Sequence, residues 1–217
     1  YKKIKWKGRM NEIYSHVEPG KSVIDIGTDH GLIPLKLFIE KDCKVCLCDI
    51  SKKALDKAVI NASEFGICID IQDAYDKRLD EDGFEFVVQD GFICEANAKN
   101  LGKDKKIFDI GIIAGMGGET IADILSMALL TGSLSKGLIL QPRSKSELLK
   151  KFLIKNGFSD IKESFAFEND IVWEIIEAKA PSVHFYGDIY NAINKDIDIS
   201  IDIDRCRENT KENHDVY

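Results

Sequence analysis

The chain has 217 residues, 44% of them hydrophobic, and a net charge of −7; this allows one well-packed α/β domain with a modest appendage and leaves little room for two full domains. No run reaches the roughly 20 apolar residues that span a bilayer, and no secretory leader precedes the first strand-like segment, so the expectation is a cytoplasmic protein with no membrane partner. The negative charge also argues against a protein that coats nucleic acid along its whole surface, because such binding uses Lys and Arg to neutralise phosphates.

Two basic clusters stand against that background. Lys2, Lys3, Lys5, Lys7 and Arg9 run without an intervening acid, and Arg143, Lys145, Lys150 and Lys151 gather near a predicted helix start. Each reads either as solvated surface charge or as a local phosphate contact. Cys43, Cys46 and Cys48 crowd one apolar run, while Cys68, Cys94 and Cys206 stand apart. Structural zinc needs four ligands and no second close pair follows, so no metal is expected, and the thiols read as small buried hydrophobes in a reducing compartment.

Taken in order, Ser22 to Gly27 is a short β-branched run ending in a glycine turn, the pattern of a buried parallel strand. A helix is predicted over 33–40, and Lys44 to Cys48 is extended again, ending at Asp49. Ser51 is a natural N-cap for a helix carrying Leu55, Ala58, Val59 and Ala62 on one face and closing at Gly66. Phe84 to Gln89 is the third strand, and a polar stretch from Asn97 to Lys106 leads into the fourth, Phe108 to Ile113. After Gly117 and Gly118, the residues Ile121, Leu125 and Ala128 supply another helix face. Gly137 to Gln141 is a strand stopped by Pro142, and a helix is predicted from Ser144 to Asn156. This alternation implies a mainly parallel sheet with helices on both faces.

Past Gly157 the rhythm changes. Phe158 to Phe167 and Ile171 to Ala178 are extended runs joined by Glu168-Asn169-Asp170, which reads as a hairpin. An α/β domain closed by an antiparallel C-terminal hairpin resembles the Rossmann-like class I methyltransferases rather than the dehydrogenases. Beyond Pro181, Ile197, Ile199, Ile201 and Ile203 alternate with polar residues, a pattern that favours a strand over a helix, while the surrounding Asn, Lys and Asp richness reads equally as loosely ordered chain.

Open parallel sheets bind ligands at the carboxyl ends of their strands, and the unusual residues fall there. Asp25, Gly27, Thr28, Asp29 and His30 surround the first turn, where Asp29 and His30 can hydrogen-bond amino and carboxylate groups of a methionine moiety. Asp49, followed by Ile50, stands where an acid accepts from ribose hydroxyls, and Asp90-Gly91 follows the third strand, where an acid meets an adenine amino group. Ala114-Gly115-Met116-Gly117-Gly118 lets backbone approach a ligand closely.

The segments Asp25-Ile26-Gly27-Thr28-Asp29-His30, Ile113 to Gly118 and Leu138-Ile139-Leu140-Gln141-Pro142 closely resemble the bacterial TrmK family of tRNA adenine-N1 methyltransferases acting at position 22. The similarity runs from Arg9 to Ala178 and includes Glu168 to Glu174, like the family's acidic turn into its last strand. The resemblance implies S-adenosyl-L-methionine as cofactor and tRNA as partner; separately, the chain is expected to be a monomer. It implies cofactor contacts from Arg9, Asp25, Gly27, Thr28, Asp29, His30, Asp49, Ile50, Asp90, Gly91, Ala114, Gly115 and Met116. Gly117, Gly118, Gln141, Pro142 and Arg143 are the expected substrate contacts, and Asp29 and His30 the polar groups nearest the reaction. Arg143 departs from the family, where Asn often follows Gln-Pro. Residues 1–180 are expected to be the methyltransferase domain, and 181–217 a remnant or truncated start of a tRNA-docking helical domain. A small-molecule methyltransferase and a non-catalytic cofactor-binding module are the rival readings.

Overall fold

In the computed structural model, residues 8–67, 69, 71–77, 79–92 and 107–181 are described, all within one compact unit. The basic run 2–7, the stretch 97–106 and the tail beyond Pro181, with the expectations placed on them, lie outside those residues.

The elements follow the alternation of the sequence. They are α1 (Arg9–Ser15), β1 (Ser22–Ile26), α2 (Leu32–Lys41), β2 (Lys44–Asp49), α3 (Lys52–Glu64), two single turns α4 (Ile71–Ala74) and α5 (Leu79–Asp82), and β3 (Phe84–Val88). After them come β4 (Ile110–Gly117), α6 (Gly118–Thr131), β5 (Gly137–Ser144), α7 (Ser146–Lys155), β6 (Ser159–Glu168) and β7 (Ile171–Lys179). The seven strands form one sheet in the order β3-β2-β1-β4-β5-β7-β6. β3, β2, β1, β4 and β5 pair in parallel, and β7 runs antiparallel to both β5 and β6. This is the Rossmann-like sheet with the antiparallel hairpin that the sequence predicts.

Three boundaries differ from the sequence reading. Pro142 does not stop β5, which runs on to Ser144, because β4 shifts register around Ala114 and Met116 and then pairs Met116 with Pro142. Proline lacks an N–H, and the irregular ladder at that point tolerates its absence. The glycine segment after the fourth strand is therefore largely strand, and β4 begins at Ile110 rather than Phe108. The following helix starts at Ser146, since Lys145 takes a left-handed conformation that no helical turn can include.

The sheet separates two apolar layers. Leu35 and Leu37 of α2 and Leu55 and Ala58 of α3 pack with Val45, Leu47 and Ile112 on one face. On the other face Ile121 and Leu125 of α6 and Leu149 and Leu153 of α7 cover Ile24, Ile113 and Leu140. Both layers alternate along each strand, as the two-residue period requires. Cys43, Cys46 and Cys48 are buried free thiols within these layers. The strand order reverses between β1 and β4, so their carboxyl ends flank the crevice where such sheets take ligands.

Candidate functional site

The turn after β1 is held from below. Gly27 and Thr28 donate their N–H groups to the carbonyl of Cys48, at 2.9 and 3.1 Å, which fixes the turn to the end of β2. The Thr28 hydroxyl donates to the Asp25 carboxylate, and both residues are buried. Burial pushes the Asp25 carboxyl up to about 6, the Thr28 hydrogen bond pulls it down, and the charge of Asp49 adds to the rise. Gly27 has φ +77°, and a Cβ there would fall 2.2 Å from the Met116 methyl. The glycine turn of β1 and the end of β4 therefore face one another across the crevice.

Asp29 and His30 lie on the exposed rim. Asp29 has φ +35°, and its carboxylate sits 3.1 Å from Lys57 and 3.4 Å from the His30 ring. Asn61 of α3 donates to the His30 carbonyl at 2.8 Å. The backbone N–H groups of Asp29 and His30 form no hydrogen bond among the described residues, so two donors at this turn are open to an incoming anion. Lys57 and Asn61, which orient this rim from α3, were not singled out from the sequence; only their helical spacing on one face of α3 points to them.

Asp49 closes β2. Its Oδ1 accepts from the Ser51 N–H at 2.8 Å, a turn contact that leaves the second oxygen for another donor. Ile50 beside it is 58% exposed, an apolar surface at the strand end suited to the face of a heterocycle. Asp90 is exposed and Gly91 buried. The Cys48 thiol lies under this strand end at 3.3 Å from the Gly91 carbonyl, and burial pushes its pKa far up, so it is no nucleophile.

Across the crevice, Ala114, Gly115, Met116 and Gly117 are half-buried. Gly118 opens α6, and a Cβ there would meet the Lys145 carbonyl at 2.4 Å. Only glycine allows the starts of α6 and α7 to approach this closely. Gln141 is buried, with its amide donating to the Pro142 carbonyl at 3.0 Å, and Pro142 is buried too. Arg143 is exposed.

A family model described as a methyltransferase domain matches residues 6–176. The chain belongs to that methyltransferase family. Among solved structures, the B. subtilis m1A22 tRNA methyltransferase TrmK is similar, with 19% identity over 95% of this chain and 94% of that one at a TM-score of 0.65. M. capricolum TrmK in complex with S-adenosyl-homocysteine is 19% identical over 94% of this chain and 93% of that one, at a TM-score of 0.60. A Streptococcus pneumoniae protein in complex with S-adenosyl-L-methionine is 24% identical over 81% of this chain and 73% of that one, at a TM-score of 0.63. At these identities the likeness is one of fold. No curated protein sequence matches the chain.

Arg9, at the start of α1, lays its guanidinium over the Trp173 ring, 4.6 Å from the centroid, and lies 4.0 Å from Glu168. Trp173 and Glu168 belong to the hairpin, so α1 brings Arg9 to β6 and β7.

A cleft of about 410 Å³ lies at the opposite end of the sheet, lined among others by Lys21, Asp109, Lys136 and Lys179. Those lysines are paired with Glu18, Asp109 and Asp160, and the position is remote from every strand end that carries the glycine turns. Among the described residues no cluster of His, Cys, Asp and Glu is placed to hold a metal, and no helix is long and apolar enough to cross a membrane.

Proposed function

We propose that this methyltransferase uses S-adenosyl-L-methionine to methylate N1 of adenine at position 22 of tRNA. The observation that carries the reading is the meeting of Gly27 with Met116, which faces the β1 turn toward the glycine end of β4 across one crevice. It is supported by the similar solved structures, described as tRNA m1A22 methyltransferases or crystallised with S-adenosyl-L-methionine or its product.

The residues present fit the cofactor. The open N–H groups of Asp29 and His30 suit a carboxylate, the free oxygen of Asp49 suits ribose hydroxyls, and exposed Ile50 with Asp90 suits an adenine ring and its amino group. When bound, S-adenosyl-L-methionine supplies an electrophilic methyl on a sulfonium.

The chain's own task is orientation. N1 of neutral adenine carries a lone pair, so no base is needed to create the nucleophile; the protein must align it and exclude other poses. Base-modifying enzymes reach such an atom by taking the base out of its stack. The backbone of Ala114 to Gly118 lines the position of the target ring, where carbonyl oxygens can accept from an exocyclic amine. Pro142 and Gln141 hold that wall from within, Arg143 meets the incoming RNA, and Asp29 and His30 are the polar groups nearest the charge that develops on the product. In this reading the enzyme is a cytoplasmic monomer with residues 1–180 as its catalytic domain and 181–217 as an appended segment.

The test incubates the protein with labelled cofactor and unmodified bacterial tRNA and maps the product. N1-methyladenine at position 22 is expected. Turnover confined to small molecules, or cofactor binding without turnover on any tRNA, would replace this reading with one of its rivals.

A further inference from the structure

Beside the β1 turn stands a lysine that none of the steps above uses. Lys57 reaches across from α3 and sets its ammonium 3.1 Å from the Asp29 carboxylate. One turn further along the same face of that helix, Asn61 donates to the His30 carbonyl at 2.8 Å. Ala58, the residue after Lys57, packs directly behind the turn, where a Cβ on Gly31 would fall 2.8 Å from the Ala58 Cβ. α3 therefore stands against the turn and holds Lys57 at the rim of the crevice.

The Asp29–Lys57 pair is open to exchange. Its side chains are 58% and 47% exposed, and an ion pair so placed contributes little to stability. The His30 ring lies 3.4 Å from the other Asp29 oxygen. Asp29 also carries one of the two backbone N–H groups that form no hydrogen bond among the described residues, and His30 carries the other. An anion thus stands beside a cation and beside two open donors, all within one short turn. That pattern is the complement of an α-amino-acid head: an ammonium for the Asp29 carboxylate, and a carboxylate for Lys57 and the open N–H groups. A ligand that carries both charges replaces both halves of the pair at once. A ligand with one charge breaks the pair and strands its other half, which counts against it.

We propose that Lys57 is a cofactor-binding residue: the Asp29–Lys57 pair opens, Asp29 takes the ammonium of the methionine end of S-adenosyl-L-methionine, and Lys57 takes its carboxylate. This rests on the cofactor reading above and adds a residue of α3 to it. Lys57 holds the cofactor and takes no part in methyl transfer.

Calorimetry on the full chain compares three ligands that share the adenosine and the sulfur: S-adenosyl-homocysteine with the whole head, its decarboxylated analogue with the ammonium alone, and methylthioadenosine with neither charge. Wild type, Lys57→Met, Lys57→Arg and Asp29→Asn are measured, with matched thermal melts to separate binding from unfolding. Lys57→Met keeps the aliphatic stem and loses the charge. It is expected to raise the Kd of S-adenosyl-homocysteine roughly fivefold, the upper end for a half-exposed charge pair, and to weaken neither of the other ligands. Added salt should shrink that difference, and Lys57→Arg should restore most of the affinity. Asp29→Asn, which tolerates a positive φ, should weaken both ligands that carry the ammonium and leave methylthioadenosine unchanged.

If Lys57→Met weakens the decarboxylated analogue as much as S-adenosyl-homocysteine, or all three ligands alike, the lysine only shapes Asp29 or the turn; the proposal is then overturned and the cofactor reading stands. Unchanged binding of S-adenosyl-homocysteine by Lys57→Met overturns it in the same way. If wild type binds none of the three ligands, the cofactor reading fails and the proposal fails with it.

Discussion

The Thr28 hydroxyl donates to the Asp25 carboxylate beneath the Gly27 turn, and this hydrogen bond holds an acid that the surrounding core disfavours as an anion. The carboxyl titrates at about 6 in the folded chain against an ordinary 3.8. Folded protein therefore binds the proton more tightly than unfolded protein between those values. The stability this group contributes is fully present below about pH 4, falls as pH rises, and is lost above about pH 6.

Asp25→Asn removes the charge and keeps an oxygen that accepts from Thr28. Urea unfolding should show the variant equal to wild type near pH 4 and more stable by up to roughly 3 kcal/mol at pH 8. A stability difference that stays constant across that range would show that Asp25 does not titrate as the buried acid described here. Thr28→Val acts in the opposite direction: it removes the donor, and its cost of about 1.5–3 kcal/mol should appear at pH 8 and shrink toward pH 4.

Gly27 serves the crevice rather than the core. Alanine there would carry φ +77° and drive the Met116 methyl from its position. Backbone strain of about 1–2 kcal/mol and a displaced Met116 should together weaken S-adenosyl-homocysteine binding at least tenfold, read by calorimetry. Adding Met116→Ala returns the space without relieving the strain, so the double variant should recover part of the affinity. Full recovery would mean that backbone conformation at Gly27 is immaterial.

Asp49 combines two tasks that one substitution can separate. Asn keeps an acceptor for the Ser51 N–H, held at 2.8 Å, and loses the charge toward ribose hydroxyls. Asp49→Asn should keep the melting temperature within experimental error and weaken cofactor binding by about 1.5–3 kcal/mol, whereas Asp49→Ala should lose both. If Asn binds cofactor like wild type and only Ala lowers the melting temperature, Asp49 is a turn residue alone.

Much of this was readable from the chain. The β-branched runs before Gly27 and Gly117, each followed by helical spacing, determine the parallel order, and the abrupt loss of helix between Phe158 and Ala178 announces the hairpin. What local pattern does not contain is the pairing partner. Pro142 stops a strand by its own chemistry, and only the register shift of β4 across from it lets β5 continue. Arg9 reads only as the end of a basic run; its approach to Trp173, far along the chain, is set by how α1 crosses the hairpin. The left-handed Lys145 was equally hidden, because lysine carries no conformational signature of its own.

The hairpin that presents Trp173 is itself fastened by one lysine. Lys150 of α7 lies 2.7 Å from Glu147 on its own helix, 3.3 Å from Glu163 on β6 and 3.0 Å from Glu174 on β7, with its side chain 17% exposed. Hydrogen bonds to these acids, Glu147 foremost, raise the Lys150 pKa. Burial raises the Glu174 carboxyl, but hydrogen bonds from Ser146 and Lys150 outweigh it and leave its pKa lowered. A depressed carboxyl contributes stability above its ordinary range and loses it as pH falls through the folded value. Lys150→Met keeps the aliphatic stem and leaves Glu163 and Glu174 facing each other on adjacent strands without a counter-charge. The variant should lose about 1–3 kcal/mol at pH 7, less than a fully buried pair would cost because Glu163 is partly solvated. The loss should fade as pH falls through the folded value of Glu174, and Lys150→Arg should restore most of it. A penalty independent of pH would assign the role of Lys150 to packing of its stem against α7 and the hairpin instead of to charge.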